Sequence, residues 1–103
     1  MAEVTFSARA LRDMARIHRY VADHGASRYA DRMIQRFYRA LDAVAVFPMG
    51  GRVVPEIGRQ DIRETIVGDY RIIYLTRRDQ CDVITIFHGA RRFPFGAMRT
   101  RKE

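Results

Sequence analysis

The sequence holds a single cysteine, a single lysine and no long apolar run. Cys81, alone, can form neither an internal disulfide nor a cysteine-based zinc site. A lone thiol suits a reducing compartment. No stretch approaches the roughly 18 apolar residues that a membrane-spanning helix needs. The first dozen residues lack the apolar core of a signal peptide. The expectation is a cytoplasmic protein without membrane contact. A glycine-rich phosphate loop, HExxH and GxSxG are all missing, and the carboxylates form no convincing pair. Asp61 and Glu64, three apart on a strand, point to opposite faces, and Asp79 and Asp82 bracket a turn. Neither a metal nor a cofactor is expected. Glu64 reads most simply as an ion-pair partner for a neighbouring arginine.

The scarcity of lysine is the mirror of an arginine excess. Of 19 cations only Lys102 is not arginine, against 12 anions, for a net charge of +7. The surplus is uneven: the segment from His88 onward, with Arg91, Arg92, Arg99, Arg101 and Lys102, supplies more than half of it. Such a tail suits an anionic partner, either nucleic acid or an acidic protein. At 103 residues the chain makes one domain, residues 1–103, with a basic tail over 89–103.

Glu3–Phe6 reads as a short strand, and Ser7 stands where an N-cap belongs. Leu11, Met14, Ala15, His18, Val21 and Ala22 share one helical face, and Gly25 ends the helix. Ser27 is the next cap candidate. From Tyr29 to Val46, Ala30, Met33, Ile34, Phe37, Leu41, Val44 and Ala45 form a second stripe, stopped by Pro48 and Gly50–Gly51. The two helices read as an antiparallel hairpin. The period then becomes two. Arg52–Val54 is an edge piece, while Ile62–Val67, Tyr70–Arg77 and Asp82–His88 are strands. They are joined at Gly68-Asp69 and at Arg78-Asp79-Gln80. The order β-α-α-β-β-β predicts an α+β domain, an antiparallel sheet with the helical hairpin on one face.

Neither long strand has a cleanly polar side. The second sheet face is therefore expected to be partly apolar and open to a partner. His18, on the apolar stripe, reads as a hydrogen-bonded core residue, and His24 as a helix-end cap. His88, ending the last strand, is a candidate acid or base. Arg63, Arg71 and Arg91, with Tyr74 and His88, are candidates to gather at one end of the sheet and clamp phosphates or carboxylates.

Several short motifs stand in a particular order: Ile62-Arg63-Glu64, Tyr70-Arg71-Ile72-Ile73-Tyr74 and His88-Gly89-Ala90-Arg91. With the N-terminal FSARALRDMARIHRYVADHGASRYADRM and the Pro48…Gly51-Arg52…Pro55-Glu56 connection, they resemble the RelE/ParE superfamily of type II toxins over residues 3 to 92. The resemblance implies the same β-α-α-β-β-β fold and one of two activities. RelE-like members cut ribosome-bound mRNA, and here Arg63, Arg71, His88 and Arg91 would carry that chemistry. ParE-like members poison DNA gyrase. The strand before Gly68 has no lysine, and the tail offers Phe93 and Phe95 but no tyrosine. Arginine, permanently charged, cannot replace a proton-transferring lysine. The resemblance is therefore closer to ParE. It implies a ParD-like antitoxin in a hetero-oligomer, with Arg63, Arg71, Ile73, Leu75, Tyr20 and Tyr38 as candidate antitoxin contacts. Arg91, Arg92 and Arg99 are the candidate contacts to gyrase.

Overall fold

A computed structural model describes residues 1–99, with the side chain of Arg99 and residues 100–103 outside the description. β1 (Glu3–Phe6) is followed by α1 (Ala8–His24), α2 (Ser27–Val46), a 3-10 turn at Pro48–Gly50 and β2 (Arg52–Val53). β3 (Ile62–Val67), β4 (Tyr70–Arg77), β5 (Gln80–His88) and a short α3 (Phe95–Arg99) complete the chain. The five strands lie in the order β1-β5-β4-β3-β2. All pairs are antiparallel except β1 with β5, which is parallel. An entirely antiparallel sheet is thus corrected at one edge. The hairpin separates β1 from the other strands in sequence and returns the chain so that β1 runs alongside β5.

That edge shows how the first turn of α1 is built. β1 leaves the sheet at Phe6, opposite Val83, and so abandons the β5 ladder beyond that point. Three side-chain bonds take over. Ser7 Oγ donates to Ile84 O (2.7 Å) and accepts from Ala10 N–H (2.9 Å), capping α1 as its position suggests. Asp13, buried on α1, accepts from Ile86 N–H (3.0 Å) and Thr85 Oγ1 (2.6 Å) through Oδ2. Its other oxygen accepts from Arg16 (2.6 Å). A buried carboxylate is tolerable here because its lone pairs find donors.

The α1 face differs from the sequence expectation by a fraction of a turn. Ala10, Asp13, Met14 and Ile17 are buried, whereas Leu11 is 50% exposed. His18 is correspondingly not in the core: it is part-exposed and donates through Nε2 to Asp31 (2.8 Å). Ser27 begins α2 as its first helical residue, and Ala26 occupies the cap without a side-chain bond. His24 does cap: its Nδ1–H donates to Tyr20 O (2.8 Å).

The helices press Met14, Ile17, Met33, Phe37 and Leu41 against Val67, Ile72, Val83 and Ile86. Strict alternation along β5 would put Val83 with Phe87 and Ile84 with Ile86. A bulge breaks it. Ile73 pairs with Thr85 and Tyr74 with Val83, so Ile84 is an extra residue on β5. Ile86 thereby joins Val83 beneath the helices, and Phe87 joins Ile84 on the other side. Gly68, at φ +58, opens the β3–β4 turn in a conformation glycine adopts without strain.

The apolar middle of the second sheet face is covered by the chain itself, while Ile66 on that face stays 52% exposed. Val54 from the β2–β3 connection, with Phe93 and Ala97 from the tail, covers Ile62, Ile73, Ile84 and Phe87. The tail thus supplies both the cover and a short helix, although its sequence shows no period. Removing the Asp13 carboxylate leaves the Ile86 N–H and the Thr85 hydroxyl without partners in a dry site. Asp13→Ala is expected to lower unfolding free energy by about 3 kcal/mol in urea titration, and Asp13→Asn, which keeps one acceptor oxygen, by less.

Candidate functional site

Three surfaces carry the residues singled out from sequence, and they are separate. The first is a network of charges on the second sheet face. Arg71 projects from β4 on the side away from the helices and is only 11% exposed. Its Nε donates to Glu64 (2.6 Å) on β3, and its two terminal nitrogens donate to the two oxygens of Glu56 (2.9 and 2.8 Å). Glu64, wholly buried, accepts at its other oxygen from Arg52 on β2. Phe87 and Phe93 lie against the Arg71 guanidinium, at 5.1 and 5.5 Å from its centre. The planar guanidinium thus ties β3, β4, β5, the 54–61 connection and the tail together, and Glu64 carries the network on to Arg52 of β2.

The charges reinforce each other. The Arg71 fork holds the Glu56 carboxyl down to about 2 from its ordinary 4.5, against the opposing pull of desolvation. The same bonds, Glu56's first, raise the Arg71 pKa further. Arg63 is also spent internally. It donates to the carbonyls of Gln60 (2.8 Å), Gly51 (3.0 Å) and Met49 (3.2 Å) and to the Gln60 side chain (2.9 Å). Gly51 sits close beneath, where any side chain would strike the Tyr74 hydroxyl and the Glu64 carbonyl. Tyr74 itself is buried and donates to Pro48 O (2.7 Å), so it takes no part in an arginine cluster.

The second surface is a cleft of about 350 Å³ where α1 meets the end of β4 and β5, lined by Arg16, Ile17, Tyr20, Tyr70, Ile86, Phe87, His88 and Arg91. His88 Nδ1 accepts from Ala90 N–H (3.0 Å), which leaves the ring proton of the neutral imidazole on Nε2. Tyr70 packs edge-on against His88, and burial raises its pKa. The third surface is a groove of about 590 Å³ on the outside of the hairpin, lined by Met14, Ala15, His18, Arg19, Ala22, Asp23, Ile34 and Tyr38. Tyr38 is 45% exposed there, while Tyr20, 59% exposed, stacks on His24 beside the cleft.

The expected gathering of Arg63, Arg71, Arg91, Tyr74 and His88 therefore does not form. Arg63 pairs opposite Tyr74 and His88 opposite Tyr70, four residues apart along β4, or about 13 Å. Arg71 faces the other side of the sheet. Only His88 and Arg91 share a site. Ile73 is fully buried under the chain's own tail and Leu75 is partly buried there, so neither presents an open apolar face. Arg91 and Arg92 are exposed, and the Arg99 side chain lies outside the described residues. Sequence reasoning missed Glu56, Arg52 and Asp13. Asp13 did leave a signal, an acid between Ala10 and Ile17 on the buried stripe. Glu64 paired with arginine as anticipated. Among the described residues no group of three or more histidine, cysteine or carboxylate side chains is placed to hold a metal. Nor, among the described residues, is any helix long and apolar enough to cross a membrane.

Residues 4–93 match the family described as the ParE toxin of the type II toxin-antitoxin system, parDE. The chain belongs to the ParE toxin family. No curated protein matches it significantly. Among solved structures it resembles the chromosomal ParDE toxin–antitoxin system from P. aeruginosa, at 11% identity and a TM-score of 0.72, over 85% of this chain and 96% of that one. At such low identity the likeness is one of fold, and it places this ParE toxin's helical hairpin and sheet in the same arrangement.

Two outcomes test the charge network of this toxin. Arg71→Lys keeps the charge but loses the fork and the ring contacts, and should cost about 2 kcal/mol in chemical denaturation. Glu56 is depressed in the folded state, so its contribution is present above pH 4.5 and lost as pH falls from 4.5 toward about 2. Melting temperature followed over that range should fall more steeply for the wild type than for Glu56→Gln, and the two curves should converge at its acid end.

Proposed function

We propose that this ParE toxin acts in the cytoplasm by binding and inhibiting DNA gyrase, and that a ParD-like antitoxin neutralises it by direct contact. The observation that carries the choice of binding over cutting is the internal use of Arg71 and Arg63. Both guanidinium groups already bond acceptors of the chain itself, Arg71 through Nε and both terminal nitrogens to two carboxylates and Arg63 to backbone carbonyls and the Gln60 side chain. Phosphodiester cleavage needs groups that stabilise the developing charge and move protons. The nuclease set of Arg63, Arg71, His88 and Arg91 reduces to His88 and Arg91 in one cleft.

Of the candidate antitoxin contacts on the sheet and on the helices, those on the helices are the ones we retain. The hairpin groove offers exposed apolar surface from both helices, with Tyr38 of α2 on its wall and Leu11 exposed elsewhere on α1. Its apolar lining suits an amphipathic segment laid along it. Arg63 and Arg71 are not available to that segment. Arg91 and Arg92, exposed beside the cleft, and Arg99 remain the candidate contacts to gyrase.

Purified toxin added to a gyrase supercoiling reaction, and separately to translating ribosomes with a defined mRNA, tests this directly. Inhibited supercoiling with intact mRNA is the expected result. Codon-positioned cuts with normal supercoiling would sink it in favour of a nuclease working from His88. Alanine at Arg91, Arg92 and Arg99 together should weaken gyrase inhibition about tenfold or more. Unchanged inhibition by that triple variant would remove the tail from the target contact.

A further inference from the structure

The cleft at the end of β4 and β5 is not explained by folding. Its charged lining residues, Arg16 and Arg91, are both cationic, and no carboxylate lines it. Arg16 is held in place through one terminal nitrogen by Asp13, and most of its side chain remains exposed. Arg91 has no ion-pair partner among the described residues. The backbone bond to His88 Nδ1 leaves its Nε2–H as a donor, and no bond among the described residues uses it. The hydroxyls of Tyr20 and Tyr70 are likewise unbonded among the described residues. The floor is apolar, formed by Ile17, Ile86 and Phe87.

Donors without acceptors over an apolar floor call for a ligand with an oxyanion and a hydrophobic body. A phosphate on a nucleic-acid backbone would satisfy the donors and leave the floor wet. A carboxylate next to a large apolar side chain satisfies both. The groove described above runs along the same helix: Ala15, His18, Arg19 and Ala22 line it, while Arg16, Ile17 and Tyr20 line the cleft. A chain leaving the groove need only round α1, about 10 Å across, to arrive here.

We propose that this cleft binds an acidic side chain followed by a large apolar one, presented by an extended segment of the antitoxin. The choice of an antitoxin as the source rests on the functional reading above. The bound carboxylate accepts from Arg91, Arg16 and His88 Nε2–H, and the apolar neighbour covers Ile17, Ile86 and Phe87.

The probe is N-acetyl-Asp-Phe-amide, titrated into the full chain while the Ile17 and Ile86 methyl groups and the His88 ring are followed by NMR. N-acetyl-Asn-Phe-amide is its neutral counterpart, and adenosine monophosphate stands for a phosphate source. Saturable shifts at these residues are expected with the acidic dipeptide. Loss of the charged hydrogen bonds should weaken the Asn counterpart about tenfold, and Arg91→Gln should weaken the acidic dipeptide by about the same factor. Arg32→Gln, on the exposed side of α2, should leave it unchanged. Absent or unsaturable shifts, equal binding of the Asn counterpart, or tighter binding of adenosine monophosphate would each overturn the proposal. The Asn comparison uses unaltered protein, so it holds even if a variant folds poorly. A supercoiling assay on the same preparation separates the two readings. Gyrase inhibition without dipeptide binding overturns the cleft alone, and dipeptide binding without gyrase inhibition overturns the gyrase target while supporting the cleft.

Discussion

The sheet face away from the helices hangs on one guanidinium. Arg71 stands between a fully buried carboxylate on β3 and a second one on the 54–61 connection, with two phenylalanine rings against it. Its position determines what the rest can be. A buried Glu64 is affordable only because Arg71 and Arg52 each take one of its oxygens. Glu56 holds the irregular connection down onto the sheet, and that connection brings Val54 over the apolar residues of β3 and β4. Phe93, resting against the guanidinium and against Phe87, brings the tail back across the same face. Without the fork, the 54–61 connection and the tail would lose their common anchor.

Functional consequences follow from occupancy. A planar fork with five donors is well suited to grip a phosphate, and in isolation Arg71 looks like such a residue. Once two carboxylates fill the fork, an incoming anion must displace an interaction made in a dielectric lower than that of water, where charged hydrogen bonds are strong. The arginines that stay open are those no carboxylate reaches, Arg91 and Arg92 in particular. The middle of the sheet therefore offers an incoming anion no unoccupied fork at Arg71.

The elements were readable from periodicity because each obeys its own rule locally: Ser7 as cap, Gly68 at a positive φ, alternation along β4. What escaped reading was non-local. Nothing between Asp82 and His88 marks Ile84 as an extra residue, since every candidate there is β-branched or aromatic, and one bulge reverses the side on which Ile86 and Phe87 fall. The face of α1 was offset because alanines flank both sides of the stripe, and the buried position next to it is an aspartate, Asp13, whose acceptors are needed by β5. Arg63 and Arg71 were recognisable as important, but their partners were not. Glu56 lies in a stretch without period, turned into place through bonds from Ile57 and Gly58 to Val54 O.

One helix therefore does three jobs, and its narrow buried stripe is the reason it can. Ala10, Asp13, Met14 and Ile17 suffice to seat α1 on the sheet, because Asp13 contributes hydrogen bonds where a wider helix face would contribute area. The flanks are then free: Ala15, His18 and Ala22 on one side form the groove with α2, and Arg16 and Tyr20 on the other form the cleft with β4 and β5. A broader apolar stripe, of the kind Leu11 and His18 first suggested, would have buried the groove in the core. The polar anchor at Asp13 thus keeps both flanks of α1 at the surface, and it couples them. Arg16, which it orients, belongs to the cleft, and Met14, its neighbour in the stripe, belongs to the groove.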